Sequence, residues 1–95
     1  MTDRLKTDIQ NDQLWQFPME YPVKVVGEAR HPMREIVTNI LRKHVPDFNP
    51  ATLTEKLSSA GNYVSVTSAV HIERKEQING MYADFAAHPH IKMAL

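Results

Sequence analysis

The residues best suited to chemistry fall in two places. Five histidines are present, among them His88 and His90 flanking Pro89, with His71 earlier in the chain. A zinc site needs three or four convergent ligands. Cysteine is absent, and the nearby carboxylates Glu73 and Asp84 belong to a helix with its own solvated face. His88-Pro89-His90 therefore reads as a turn exposed to solvent, and no metal is expected. The second place is the stretch Gly27-Glu28-Ala29-Arg30-His31-Pro32 followed by Arg34. A helix starts at its end, so backbone amides and positive charge there suit a carboxylate or phosphate. Gly27, Arg30, His31 and Arg34 are the candidate ligand-binding residues. No base is paired with a nucleophile, so no catalytic residue and no enzyme activity are expected.

The bulk properties narrow the field further. A 95-residue chain holds one small domain with one core. Eleven Lys and Arg balance eleven Asp and Glu, so the chain lacks the global positive field that gathers nucleic acid or anionic membrane. The absence of cysteine excludes intrachain disulfides and thiolate sites and suits a reducing compartment. The polar N-terminal stretch has no apolar run of signal-peptide length, and no segment reaches the ~20 apolar residues of a membrane span. A soluble, cytoplasmic protein is the expectation.

The elements that position these residues can be read in order. Residues 1–16 have no sustained period and read as a mobile tail, anchored by Leu14, Trp15 and Phe17. Tyr21 to Ala29 alternates as a strand with Tyr21, Val23, Val25 and Gly27 on one face; Gly27 suggests a bulge or a close backbone approach. Pro32 suits the first position of a helix, with His31 as its cap. Met33, Ile36, Val37, Ile40, Leu41 and His44 form its apolar stripe. Pro46 stops it. Thr52 to Ser58 reads as a polar edge strand, with Leu53 and Leu57 on one side. A Ser59-Ala60-Gly61-Asn62 turn then leads into the third strand. There Val64, Val66, Val70 and Ile72 oppose Tyr63, Ser65, Thr67, Ala69 and His71. Glu73 opens a second helix striped by Ile78, Met81, Tyr82 and Phe85, in which Gly80 permits close helix packing. After Pro89, Ile91, Met93 and Leu95 alternate with Lys92 and Ala94 as a last strand.

The order β-α-β-β-α-β, with one apolar face per strand and right-handed crossovers, predicts an α+β ferredoxin-like sandwich. It has a four-stranded antiparallel sheet of order 4-1-3-2 and two helices on one face, as a single domain over residues 17–95. The other face stays open and carries Lys24, Val26, Ser65, Thr67 and Lys92, the candidate partner-binding residues. RNA recognition on it would need projecting aromatics. Tyr63 is the lone aromatic there, so nucleic acid is not an expected partner. Another protein or a second copy of the chain is.

Three segments carry a family resemblance across roughly 17–95: FPMEYPVKVVGEA, SSAGNYVSVTSAVHIE and the ending Met81-Tyr82 to IKMAL. They resemble the YbeD-like family of small bacterial proteins in the phenylalanine-proline entry, the glycine closing the first strand, the Ser-x-Gly-Asn-Tyr hairpin and the Val/Ile-Lys/Arg-Met-x-Leu terminus. The resemblance implies a fold like the amino-acid-binding ACT domains and a non-enzymatic regulatory or protein-binding role tied to lipoate metabolism, with no cofactor. It also implies an alternative, a small effector bound at the Gly27 to Arg34 loop, where ACT domains hold their ligand. The loop faintly resembles that of acylphosphatase, a third reading, but lacks that family's second glycine-rich turn. The stretch before Phe17 is longer than in the shorter members.

Overall fold

In chain order the protein forms β1 (Met19–Glu28), α1 (Met33–His44), a 3-10 turn (Pro50–Thr52), β2 (Thr54–Leu57), β3 (Tyr63–Ile72), α2 (Lys75–Ala87) and β4 (Ile91–Ala94). The structure, a computed structural model, describes residues 16–95. Most of the expected tail, with Leu14 and Trp15, lies outside the described residues. The strands pair as β2-β3-β1-β4, antiparallel at every step. This is the expected ferredoxin-like order read from the opposite edge.

Alternation decides which side of the sheet the helices cover. Val23 and Val25 of β1 and Val64, Val66, Val70 and Ile72 of β3 are buried on one face. Their cover comes from Met33, Val37, Ile40 and Leu41 of α1 and from Ile78, Met81 and Phe85 of α2. Burying each such side chain contributes about 1.5–3 kcal/mol against exposure. Val45, Phe48 and Leu53, from the connection after α1, close the same core.

Element ends differ from the sequence reading for identifiable reasons. Pro32 is the cap of α1 and not its first residue: its ψ of 70° is not helical, yet its carbonyl accepts from Ile36 N–H at 3.0 Å. Helix α2 begins at Lys75 and not at Glu73, because the Gln77 side-chain oxygen takes the Glu73 and Arg74 amides at 2.7 and 3.0 Å. Strand β2 starts at Thr54, two residues late. Asn49 Oδ1 accepts from Ala51 N–H at 3.0 Å and Pro50 enters a 3-10 turn, which draws in Thr52.

Both interior glycines mark close approaches. A Cβ on Gly80 would lie 2.5 Å from the His44 ring, so its absence lets α2 pack on the end of α1. A Cβ on Gly27 would lie 2.5 Å from Met33 Sδ and 2.6 Å from the His90 carbonyl. At the same place the β1–β4 register shifts, between Val26 and Gly27. The shift overturns the simple alternation expected in β4. Ile91 faces Gly27 and Ala94 faces Val25, both packing on the core, while Met93 faces Val26 on the open side.

Because a backbone carbonyl cannot swing aside as a side chain can, Gly27→Ala should destabilise the fold by about 1–3 kcal/mol. Denaturant melts of the two proteins test this, and equal stabilities would show that β4 can shift away at no cost.

Candidate functional site

The open face of the sheet is built by the central strands. Lys24 pairs with Thr67 and Val26 with Ser65; beyond β3, Thr54 and Lys56 of β2 pair with Thr67 and Ser65. All of these side chains share the face away from the helices. Beyond β1, Met93 pairs with Val26, and Leu95 exchanges backbone hydrogen bonds with Lys24 at 2.8 and 3.3 Å. The register shift thus brings Met93 and Leu95 onto this face at 51% and 60% exposure. Sequence reasoning had put them on the opposite side from Lys92. Lys92 itself falls at the shift, exposed.

Hydroxyls on this face are tied down. Thr54 Oγ1 and Thr67 Oγ1 are 2.7 Å apart, and Ser65 Oγ donates to the Lys56 carbonyl at 3.4 Å. What remains is a shallow trough of about 490 Å³ whose lining includes Pro22, Lys24, Thr67, Ala69 and Leu95. Its floor is small or apolar, with cations beside it.

Gly27, Arg30 and His31 share neighbours at the β1–α1 junction through Glu28 and His90, while Arg34 turns away from them. Gly27 is closed over by Met33 and His90. Arg30 Nε donates to Glu28 Oε1 at 2.9 Å. That bond and charge, reinforced more weakly by Lys92, hold the Glu28 carboxyl below its ordinary range. Arg34 reaches away from the loop and donates to the Pro50 and Leu53 carbonyls at 2.9 and 3.2 Å. The His31 ring stacks on that of His90 with centroids 3.6 Å apart, and its Nε2 lies 3.4 Å from Glu28 Oε1. The His88-Pro89-His90 turn is therefore not simply exposed: His90 is half-buried against His31, and its amide donates to His88 Nδ1 at 3.1 Å. Among the described residues, no group of three or more His, Cys, Asp or Glu is placed to hold a metal ion.

Two further polar clusters had no signal in the sequence. His44 Nε2 meets Asp84 Oδ2 at 2.6 Å, with Lys43 Nζ 3.3 Å away. The His44 bond first, then Lys43, hold the Asp84 carboxyl below its ordinary value. The cluster ties α1 to α2. On the sheet, His71 Nδ1 meets Glu20 Oε2 at 3.0 Å and its Nε2 lies 3.6 Å from Glu73. Tyr82 donates to the Leu95 carbonyl at 2.7 Å, and burial pushes its phenol above its ordinary value, so it remains a donor.

Residues 12–95 match the model of a family described as "Protein of unknown function (DUF493)". Among similar proteins, the UPF0250 protein of Shewanella woodyi is 39% identical over 93% of this chain and 98% of its own. That of Shewanella sediminis is 38% identical over the same shares. That of Janthinobacterium sp. is 31% identical over 88% of this chain and 92% of its own. No solved structure matches. Among the described residues, no helix is long and apolar enough to cross a membrane.

The hydrogen bond to Glu20, aided by the charges of Glu20 and Glu73, raises the His71 pKa above its ordinary 6.5. A raised folded-state value contributes stability that is fully present below 6.5 and is lost as the pH climbs through the raised value. The gap in melting temperature between the natural chain and His71→Gln should therefore be larger near about pH 6 than near about pH 9. A gap that does not change with pH would show that the cluster is not held in solution.

Proposed function

The chain belongs to the DUF493 family, the YbeD-like proteins, and we propose that it is a non-enzymatic regulatory module that binds another protein through the open face of its sheet. The observation that carries this reading is the composition of that face. Met93 and Leu95 stand exposed beside Val26, next to Ser65, Thr67 and Ala69, whose small side chains let another surface approach closely. Lys24 and Lys92, with Glu20 and Glu28 on the same strand, supply charges of both signs that would fix a partner's orientation. The lipoate connection implied by the family resemblance would place the partner among proteins of that metabolism. A small effector at the Gly27 to Arg34 loop is the weaker reading, since Arg34 and Gly27 are already committed to packing. An acylphosphatase-like hydrolase is weaker still, for the same arginine would have to leave its carbonyls.

The test places a large charge on the face. A partner recovered with the natural chain and identified by mass spectrometry should be lost with Thr67→Arg at nearly unchanged melting temperature. It should be kept with Asn79→Arg, which puts the same charge on the exposed side of α2. Retention by folded Thr67→Arg would overturn the open-face reading.

A further inference from the structure

We infer that the outer edge of β2, with the groove between β2 and α1, receives an extended basic segment of a partner protein as an added strand. This site is separate from the open face. It lies on the helix side of the sheet, beyond the last strand.

The backbone is available at alternate positions. Among the described residues, strand β2 ends the sheet and pairs with β3 alone. Ser58 N–H donates to the Tyr63 carbonyl at 2.8 Å, and Lys56↔Ser65 and Thr54↔Thr67 continue that parity. In an antiparallel pair the intervening residues turn their N–H and C=O outward, which here means Glu55 and Leu57. Leu53 shares their parity, and its carbonyl is already capped by Arg34 at 3.2 Å. Arg34 thus closes one end of the edge and leaves the next two positions open.

Side chains at the same two positions line the groove. Glu55 and Leu57 pair with Val66 and Val64, residues of the core face, so they project toward α1. With Pro32, Met33, Glu35 and Val64 they bound a groove of about 760 Å³. Leu57 is 60% exposed in it. A strand laid along β2 would place every second side chain in this groove, where an apolar residue would cover Leu57. Charge selects the rest of the occupant. Glu35 makes no ion pair among the described residues, and Glu55 has only the Nη1 of Arg34 at 3.9 Å. Two carboxylates against the one guanidinium of Arg34, which lines the same groove, leave a negative excess that favours lysine or arginine in the added segment.

The other edge of the sheet offers no such site. The register of β4 against β1 shifts between Val26 and Gly27, so this short strand presents no regular alternation of outward backbone groups. Bulges and capping are how sheet edges are closed to further strands. Strand β2 has neither beyond Leu53.

The probe is an N-acetylated, C-amidated hexapeptide of sequence Thr-Lys-Thr-Val-Thr-Lys, whose lysine, valine and lysine side chains share one face, titrated into the full chain and followed by amide NMR and hydrogen exchange. At ~3.3 Å per residue it spans β2. Shifts should centre on Glu35, Glu55 and Leu57, and exchange of the Glu55 and Leu57 amides should slow by about fivefold or more at saturation. Replacing the valine by proline should weaken binding about tenfold through the lost backbone bond, and Glu35→Gln roughly threefold. Met93→Arg, on the open face but on β4 at the opposite edge of the sheet, should leave binding unchanged, so failure here and failure of the open-face reading are distinguishable. Four results would each overturn the site: no binding at millimolar peptide, equal binding of the proline peptide, shifts centred on Lys24 and Thr67, or protection that rises with protein concentration alone, which would mean that a second copy occupies the edge.

Discussion

Three segments converge where Gly27 has no side chain. Met33, at the start of α1, lies over it on one side and the His90 carbonyl, just before β4, on the other, each closer than a Cβ would allow. That approach coincides with the register shift in the β1–β4 pair. Ile91 stays inward, but beyond the shift Ala94 turns inward and Met93 outward, the reverse of the faces a regular strand would give them. The exposed Met93 and Leu95 stand on the open face only while the shift holds, and the close approach at Gly27 sits at that shift.

A second regularity is how fully the polar side chains inside and between elements are engaged. Gln77 is buried, yet its oxygen caps two amides and its nitrogen donates to the His44 carbonyl at 3.1 Å. Among the described residues, no buried side-chain nitrogen or oxygen lacks a partner. Arg34 follows the same pattern, holding the turn before β2 by two carbonyls. The loop with the most suggestive sequence is therefore a fastening, and uncommitted surface lies elsewhere, on the open face and along the β2 edge. Leaving these bonds for a ligand would expose acceptors that then need new donors.

Much of the architecture was legible because one apolar face per strand and one stripe per helix leave a single way to fold the layers. The Val64, Val66, Val70 run and the Met33 to Leu41 stripe identified the core, and Gly27 and Gly80 announced their close approaches. The face shared by Lys24, Val26, Ser65 and Thr67 was equally readable from period-two spacing. Other features depend on partners distant in sequence. The shift in β4 falls where Met33 and His90 close over Gly27, contacts invisible to local spacing, and so Met93 and Leu95 were placed on the wrong face. The stack of His31 on His90 and the His44–Asp84 pair join separate elements, and local spacing is silent about them. Arg30, His31 and Arg34 looked like a ligand cradle because the sequence shows their charge but not the carboxylate and carbonyls that take it up.

Strand β2 belongs to both uncommitted surfaces. Thr54 and Lys56 send their side chains to the open face, where Thr54 is bonded to Thr67, while Glu55 and Leu57 send theirs to the groove. Its four residues are all exposed, and among the described residues one neighbour strand holds it. A strand added at its edge would supply hydrogen bonds on the second side and order Thr54 and Lys56 along with Glu55 and Leu57. The same added strand would widen the open face beside Thr67, so occupants of the two surfaces would meet one element whose order each favours. Coupling of that kind is reciprocal in free energy: whatever ordering one partner supplies, the other need not, and each tightens the other by the same factor. The shortness of β2, a weakness in an isolated sheet, is what would let two binding events at this domain communicate.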